Sequence, residues 1–244
     1  MSVKFEFNNI DEQNVIEKVD LDADDQVDPK GASLFEGDGD DDDDDDDDDS
    51  KYHDYCEPYM LFELSEHNLK VLNDIIEDVD DDEWHEERYD WHDGQGNNYE
   101  DYRNVKIFPP CEDEDSDVFE LIKNLFDHVN DDNFNYDMSE GCIDIQLLKY
   151  GVGGNYKWHC DYGLSKHSER GMTRKLSMSI QLSDENNYKG GQFELIDYSG
   201  RHQVLGSKKG AGVVFDSRLP HKANIVEKGE RLVLVAWASG PQLR

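Results

Sequence analysis

The chain is short of positive charge. Its 244 residues include 24 Lys and Arg against 59 Asp and Glu, a formal net charge of −35. Nucleic-acid affinity comes largely from Lys and Arg that neutralise phosphates, so a DNA or RNA partner is disfavoured. The deficit is uneven. Residues 1–150 hold 50 of the acidic residues and only 10 of the basic ones, net −40, whereas residues 151–244 carry net +5. Cysteine is also scarce: Cys56, Cys111, Cys142 and Cys160 lie far apart and form no Cys-x-x-Cys pair. That argues against a zinc ribbon or a disulfide framework. No apolar run approaches the ~18 residues of a membrane span. The first residues, MSVKFEFNNIDEQ, have neither the basic start nor the apolar stretch of a signal peptide. The expectation is a soluble protein of a reducing cytoplasm with no membrane partner.

Residues 1–54 are poor in apolar side chains and contain ten consecutive aspartates, Asp40 to Asp49. Such a segment buries too little surface to offset its ordering entropy, which predicts a disordered acidic tail. It is either a solubilising tail or a docking arm for a basic partner. In residues 55–140 two stretches have a helical period: Leu64, Leu69, Leu72, Ile75, Ile76 and Val79, then Val118, Phe119, Ile122, Leu125, Phe126 and Val129. This region is expected to be a helical support for the C-terminal part of the chain, with Asp93 to Asn98 as a turn. The acidic run Glu112 to Asp117 would favour the start of the second helix.

Over residues 141–244 the period changes to two. Ile143/Ile145/Leu147, Leu176/Met178/Ile180/Leu182, Phe193/Leu195, Val213/Phe215 and Leu232/Leu234 read as strands, divided by glycine-rich turns. Many short strands with such turns predict a mainly β domain of jelly-roll type, with the helices packed outside it.

The chemistry lies in the same part of the chain. Trp158-His159-Cys160-Asp161 follows the turn Gly151-Val152-Gly153-Gly154, and His221 comes sixty residues after Asp161 behind Pro220. On a strand, residues two apart face the same side, so His159 and Asp161 would point one way and Cys160 the other. Two histidines and one carboxylate with open positions are the donor set of a non-haem Fe(II) oxygenase. Arg231 opens the last strand, and Arg231, Val233, Val235 and Trp237 would share its interior face. A guanidinium there is costly unless paired, and a bidentate carboxylate ligand would pair it. The other histidines lack such a setting: His53, His67, His85, His92 and His128 fall in the acidic half, and His167 and His202 in loops.

These residues resemble the Fe(II)- and 2-oxoglutarate-dependent dioxygenases, in particular the prolyl 4-hydroxylase-like branch with the PKHD-type hydroxylases. The resemblance runs from about Ile143 to the C-terminus. It rests on Tyr150-Gly151-Val152-Gly153-Gly154-Asn155-Tyr156-Lys157-Trp158-His159-Cys160-Asp161, on Arg174-Lys175-Leu176-Ser177, on Gly190-Gly191-Gln192-Phe193, and on Gly210-Ala211-Gly212-Val213-Val214-Phe215 through His221 to Gly229-Glu230-Arg231 and Trp237. It implies a double-stranded β-helix, with His159, Asp161 and His221 as iron ligands and Arg231 on the distal carboxylate of 2-oxoglutarate. Tyr150 and Tyr156 match co-substrate-side tyrosines, and Ser179 and Gln181 lie on the strand that supplies a further contact. It also implies O2 and L-ascorbate as co-reactants, and hydroxylation of a C–H bond in a protein or peptide, most simply a peptidyl proline, with release of succinate and CO2. Gln192 stands where the family often has Glu, and the acidic half is outside the shared pattern. An oxygenase of a small metabolite or nucleobase, or a non-catalytic metal-binding β-barrel module, are the alternatives.

Overall fold

A computed structural model describes residues 56–77, 79–92, 98–108, 116–163 and 171–242. The acidic tail, the Asp93–Asn97 part of the turn, and the run from Glu112 to Asp115 lie outside the described residues.

Thirteen strands and two α-helices are described: β1 (Tyr59–Glu63), α1 (Glu66–Glu77), β2 (His85–His92), β3 (Asn98–Phe108), α2 (Asp117–Val129), β4 (Cys142–Tyr150), β5 (Asn155–His159), β6 (Met172–Gln181), β7 (Lys189–Gly190), β8 (Phe193–Ile196), β9 (His202–Val204), β10 (Ala211–Asp216), β11 (His221–Ala223), β12 (Val226–Lys228) and β13 (Arg231–Pro241). One antiparallel sheet runs in the order β1-β10-β6-β13-β4-β3-β5-β11-β8-β9, with β2 paired to β3, and β7 and β12 form a second small sheet. From β4 onward the chain alternates between the ends of that order. Strands β4, β6, β10 and β13 fall in the first half, while β5, β8 and β11 fall in the second. This back-and-forth winding makes a double-stranded β-helix, and β3 joins the halves by pairing with both β4 and β5.

The first half has apolar residues on both faces, as strands sandwiched between a helix layer and an interior should. Along β6, Leu176, Met178 and Ile180 are at most 2% exposed. They join a core with Leu72 of α1 and with Val118, Ile122, Leu125 and Phe126 of α2. The α2 start is fixed by Ser116, whose side chain accepts a hydrogen bond from the Phe119 amide. The amphipathic period gave both helices, and α2 spans the expected residues.

Residues 55–140 are not wholly helical: they also supply β1, β2 and β3. The period-two signal of β3 is broken because the inward positions are Arg103, Val105 and Ile107, so its first member is charged. Val105 is buried in a small cluster with Tyr150 and Leu148, against which Ile107 and Tyr156 pack. Among the described residues no helix is long and apolar enough to cross a membrane.

Candidate active site

The cavity between the two halves of the sheet is lined by His159, Asp161 and His221 together with Arg103, Tyr150, Tyr156, Ser179, Phe193, Phe215, Arg231, Val233, Val235 and Trp237. The expected face of β13, Arg231, Val233, Val235 and Trp237, therefore does line the interior.

His159 ends β5, and His221 opens β11 directly opposite it. The expectation that His159 and Asp161 share a strand face is not met as stated. The strand stops at His159, and its pairing with β11 shifts register, so that His221 faces His159 but Ala223 faces Tyr156. The irregularity brings Tyr156, three residues earlier, flat against the His159 ring at 3.5 Å and 16°. Asp161 is placed from outside the strand, by its amide bonding to the Ser217 carbonyl at 2.9 Å. Cys160 is exposed, as expected. His221 is more regular than expected, since it starts a short strand rather than a loop.

Candidate ligand atoms of His159, Asp161 and His221 all lie within 4.8 Å of one another. Each imidazole is oriented through its other nitrogen. His159 Nδ1–H donates to the Lys157 carbonyl at 2.7 Å, and His221 Nδ1–H to the Leu219 carbonyl at 3.0 Å. That turns both Nε2 atoms toward the cluster, where a metal would take them as ligands. They face Asp161, with His159 Nε2 at 3.7 Å from Oδ1 and His221 Nε2 at 3.3 Å from Oδ2. Burial and the neighbouring His221 push the His159 imidazole down to about 3, so it is neutral near pH 7. Burial alone would raise Asp161. The facing imidazoles and the hydrogen bond from Trp237 outweigh it and hold the carboxyl well below the usual range. Two imidazoles with Nε2 turned inward and an ionised carboxylate, converging in a buried space, fit a divalent first-row metal.

Arg231 is 5% exposed. It opens β13 opposite Tyr150, with its guanidinium 5.7 Å from that ring. Its Nε donates to Gln181 Oε1 at 3.0 Å, and Tyr188 is its other polar neighbour. No carboxylate of the described residues pairs with it, and burial works against its charge. Such a group fits an acidic ligand. Ser179 lines the cavity itself, whereas Gln181 reaches it through Arg231. Gly191 has φ +68, and a Cβ there would meet Arg231 Cδ at 3.0 Å, so glycine is needed for that side chain to pass. Gly153 and Gly154 instead approach backbone: they bond the carbonyl and amide of Val226 at 2.8 and 3.0 Å.

Sequence reasoning missed Arg103, Ser177 and Ser217. Ser177 Oγ donates to Asp161 Oδ2 at 2.8 Å and shares a hydrogen bond with Ser217 Oγ at 2.8 Å. No spacing signalled them; only the register of β6 against β10 and β13 brings them there. The exposed His67, His85 and His128 stand away from this cavity, and exposed His202 pairs with Glu194. His53, His167 and the side chain of His92 lie outside the described residues.

Residues 145–239 match the profile of the 2OG-Fe(II) oxygenase superfamily. The chain is 33% identical over 90 residues to a PKHD-type hydroxylase of Psychrobacter sp. (strain PRwf-1), covering 36% of this chain and 34% of that protein. It is 32% identical over 93 residues to a PKHD-type hydroxylase of Picosynechococcus sp., covering 38% and 40%. The chain thus spans well under half the length of the curated relatives it matches. A crystal structure of a Pseudomonas putida prolyl-4-hydroxylase superposes with TM-score 0.58 at 17% identity, covering 76% of this chain and 94% of that one. A Trichoplax adhaerens prolyl hydroxylase, solved with a hypoxia inducible factor peptide fragment, gives 0.55 at 16% identity, covering 75% and 83%. The two superpositions show the jelly-roll fold expected from the sequence.

Proposed function

We propose that this protein is an Fe(II)- and 2-oxoglutarate-dependent dioxygenase that hydroxylates a C–H bond of a peptidyl proline, releasing succinate and CO2. The observation that carries this is one cavity holding two separated features: a cluster of two imidazoles and a carboxylate, and a buried guanidinium without a carboxylate partner among the described residues. His159 and His221 through Nε2, and Asp161 through a carboxylate oxygen, hold the metal. Arg231 holds the distal carboxylate of 2-oxoglutarate, with Gln181 orienting it and with Tyr150, Tyr156 and Ser179 walling the co-substrate. The bound metal supplies dioxygen activation, one oxygen atom going to 2-oxoglutarate as it loses CO2 and the other to the substrate C–H bond. Phe193, Phe215, Val233 and Val235 keep water from the reacting centre. L-ascorbate is the reductant that keeps the site ferrous, and O2 is the oxidant.

The substrate half of the proposal draws support from the prolyl hydroxylase neighbours, one of which is solved with a peptide. Incubating the protein with Fe(II), 2-oxoglutarate, ascorbate and a library of proline-containing peptides tests it by mass spectrometry. The expected product carries one added oxygen atom on a proline ring. Succinate formation with the oxygen delivered to another residue type, or to a metabolite instead, would remove proline from the proposal. The Arg231→Ala variant should raise the 2-oxoglutarate requirement about ten- to a hundredfold, the usual size of a lost charge-assisted hydrogen bond.

A further inference from the structure

Two more guanidiniums flank the ligand cluster, and the proposed oxygenase chemistry uses neither. Arg103 comes from β3 and Arg174 from β6. Each lies over an aromatic ring that itself touches a ligand. Arg103 Cζ is 4.7 Å from the Tyr156 ring centre, and Tyr156 stacks on His159. Arg174 Cζ is 3.9 Å from the Trp237 ring centre, and Trp237 Nε1–H donates to Asp161 Oδ2 at 2.8 Å. The side chains are only 11% and 14% exposed. In both, the Nε is buried and has no hydrogen-bond acceptor among the described residues.

Stacking occupies the face of a guanidinium and leaves its edge for hydrogen bonds. A buried donor without an acceptor is unfavourable, and the Arg103 charge, on the cavity wall, works against that of Arg174. Each has a carboxylate neighbour, and in neither case does it reach the Nε. Arg103 Nη1 is 2.6 Å from Glu87 Oε2, at the more exposed side of the hairpin. Arg174 Nη1 is 4.0 Å from Asp161 Oδ1, with Asp144 a further acidic neighbour. A metal on the cluster takes up the Asp161 charge and weakens that pairing.

We propose that Arg103 and Arg174 together form a receptor for a carboxylate on the primary substrate, beside the carbon to be oxidised. The inference rests on the oxygenase reading and narrows its substrate class to an acidic peptide or a carboxylic acid, in preference to the matching neutral amide. The planar edges of two guanidiniums suit the two oxygens of one carboxylate.

The test uses the full chain loaded with Mn(II) and N-oxalylglycine, a non-reacting analogue of 2-oxoglutarate. Two matched pairs of probes are compared: acetyl-Gly-Asp-Gly amide with acetyl-Gly-Asn-Gly amide, and N-acetylproline with N-acetylprolinamide. Broadening of probe protons by Mn(II) reports binding beside the cluster. In at least one pair the carboxylate form should bind roughly tenfold tighter or more. Which pair responds separates a peptide side chain from a small acid. Arg103→Gln should bring the carboxylate form to the level of its amide, and Arg103→Lys should keep part of the preference. Equal affinities in both pairs, a preference for the amides, no binding of any probe, or a preference untouched by both Arg103→Gln and Arg174→Gln would overturn the proposal while leaving the oxygenase reading intact. Failure of N-oxalylglycine itself to bind would overturn the oxygenase reading and this inference with it.

Discussion

One oxygen of Asp161, Oδ2, accepts hydrogen bonds from the Ser177 hydroxyl and the Trp237 indole at 2.8 Å each. This leaves Oδ1 as the oxygen with fewer partners, facing His159 and Arg174. Outer groups of this kind set the orientation of a ligand, and losing one commonly costs ten- to a hundredfold in metal affinity. Ser177→Ala is therefore expected to weaken Fe(II) or Mn(II) binding by about tenfold in a competitive chelator titration while leaving the fold intact. Unchanged affinity would mean that Trp237 alone orients the carboxylate. At this scale the sequence was only partly legible. His159, Asp161, His221 and Arg231 stood out because imidazole and guanidinium chemistry is recognisable in itself. Ser177, Ser217 and Arg103 carry no such mark, and they matter only through strand register.

The corner between β10 and β11 sets the position of two candidate ligands at once. Ser217 fixes Asp161 through its carbonyl, and Leu219 orients His221 through its own. Asp216 holds this corner. It is nearly inaccessible and accepts hydrogen bonds from the Tyr136 and Tyr198 hydroxyls and from Arg218, whose amide bonds Oδ1 at 2.8 Å. Burial alone would raise the Asp216 carboxyl, but these bonds hold it below its ordinary value. A folded-state pKa below the unfolded value of about 3.9 gives stability that is fully present above that value. It is lost as pH falls through the folded-state pKa. Asp216→Asn should cost about 3 kcal/mol near pH 7, the low end for a broken buried pair because Arg218 is partly exposed. The gap from the wild type should shrink as pH drops below about 4. Urea unfolding at the two pH values checks both statements, and a gap independent of pH would show that the carboxylate charge is not what holds the corner. Among the elements, α1, α2, β4, β6, β8, β10 and β13 were legible because their apolar periods are unbroken, whereas the two- and three-residue strands β7, β9, β11 and β12 are too short to show one. The β3 strand was not, because it turns Arg103 toward the cavity where an apolar residue would have kept the period.

Across the whole chain, the sharp change in charge near residue 150 does not coincide with a structural boundary. The described part of the acidic half contributes β1, β2 and β3 to the same sheet as the basic half. Charge patterning reports on solvated surface, whereas sheet membership follows backbone pairing, and so one could not be read from the other. The aspartate run is a separate matter, since the described core, cavity lining and ligand cluster are drawn from residues 56–242. Removing residues 1–50 is expected to leave the thermal unfolding midpoint and succinate formation unchanged, as measured by calorimetry and chromatography. Loss of folding on that deletion would contradict a merely solubilising or docking role for the tail.

The central claim is that His159, Asp161 and His221 hold a redox-active iron that turns over 2-oxoglutarate. The most direct measurement is succinate formation by the purified full chain with Fe(II), ascorbate and 2-oxoglutarate under air. The expected result is slow, iron-dependent succinate production without added substrate, abolished in His159→Ala and in Asp161→Ala. No succinate from the wild type together with no binding of 2-oxoglutarate, or undiminished turnover in either variant, would contradict it.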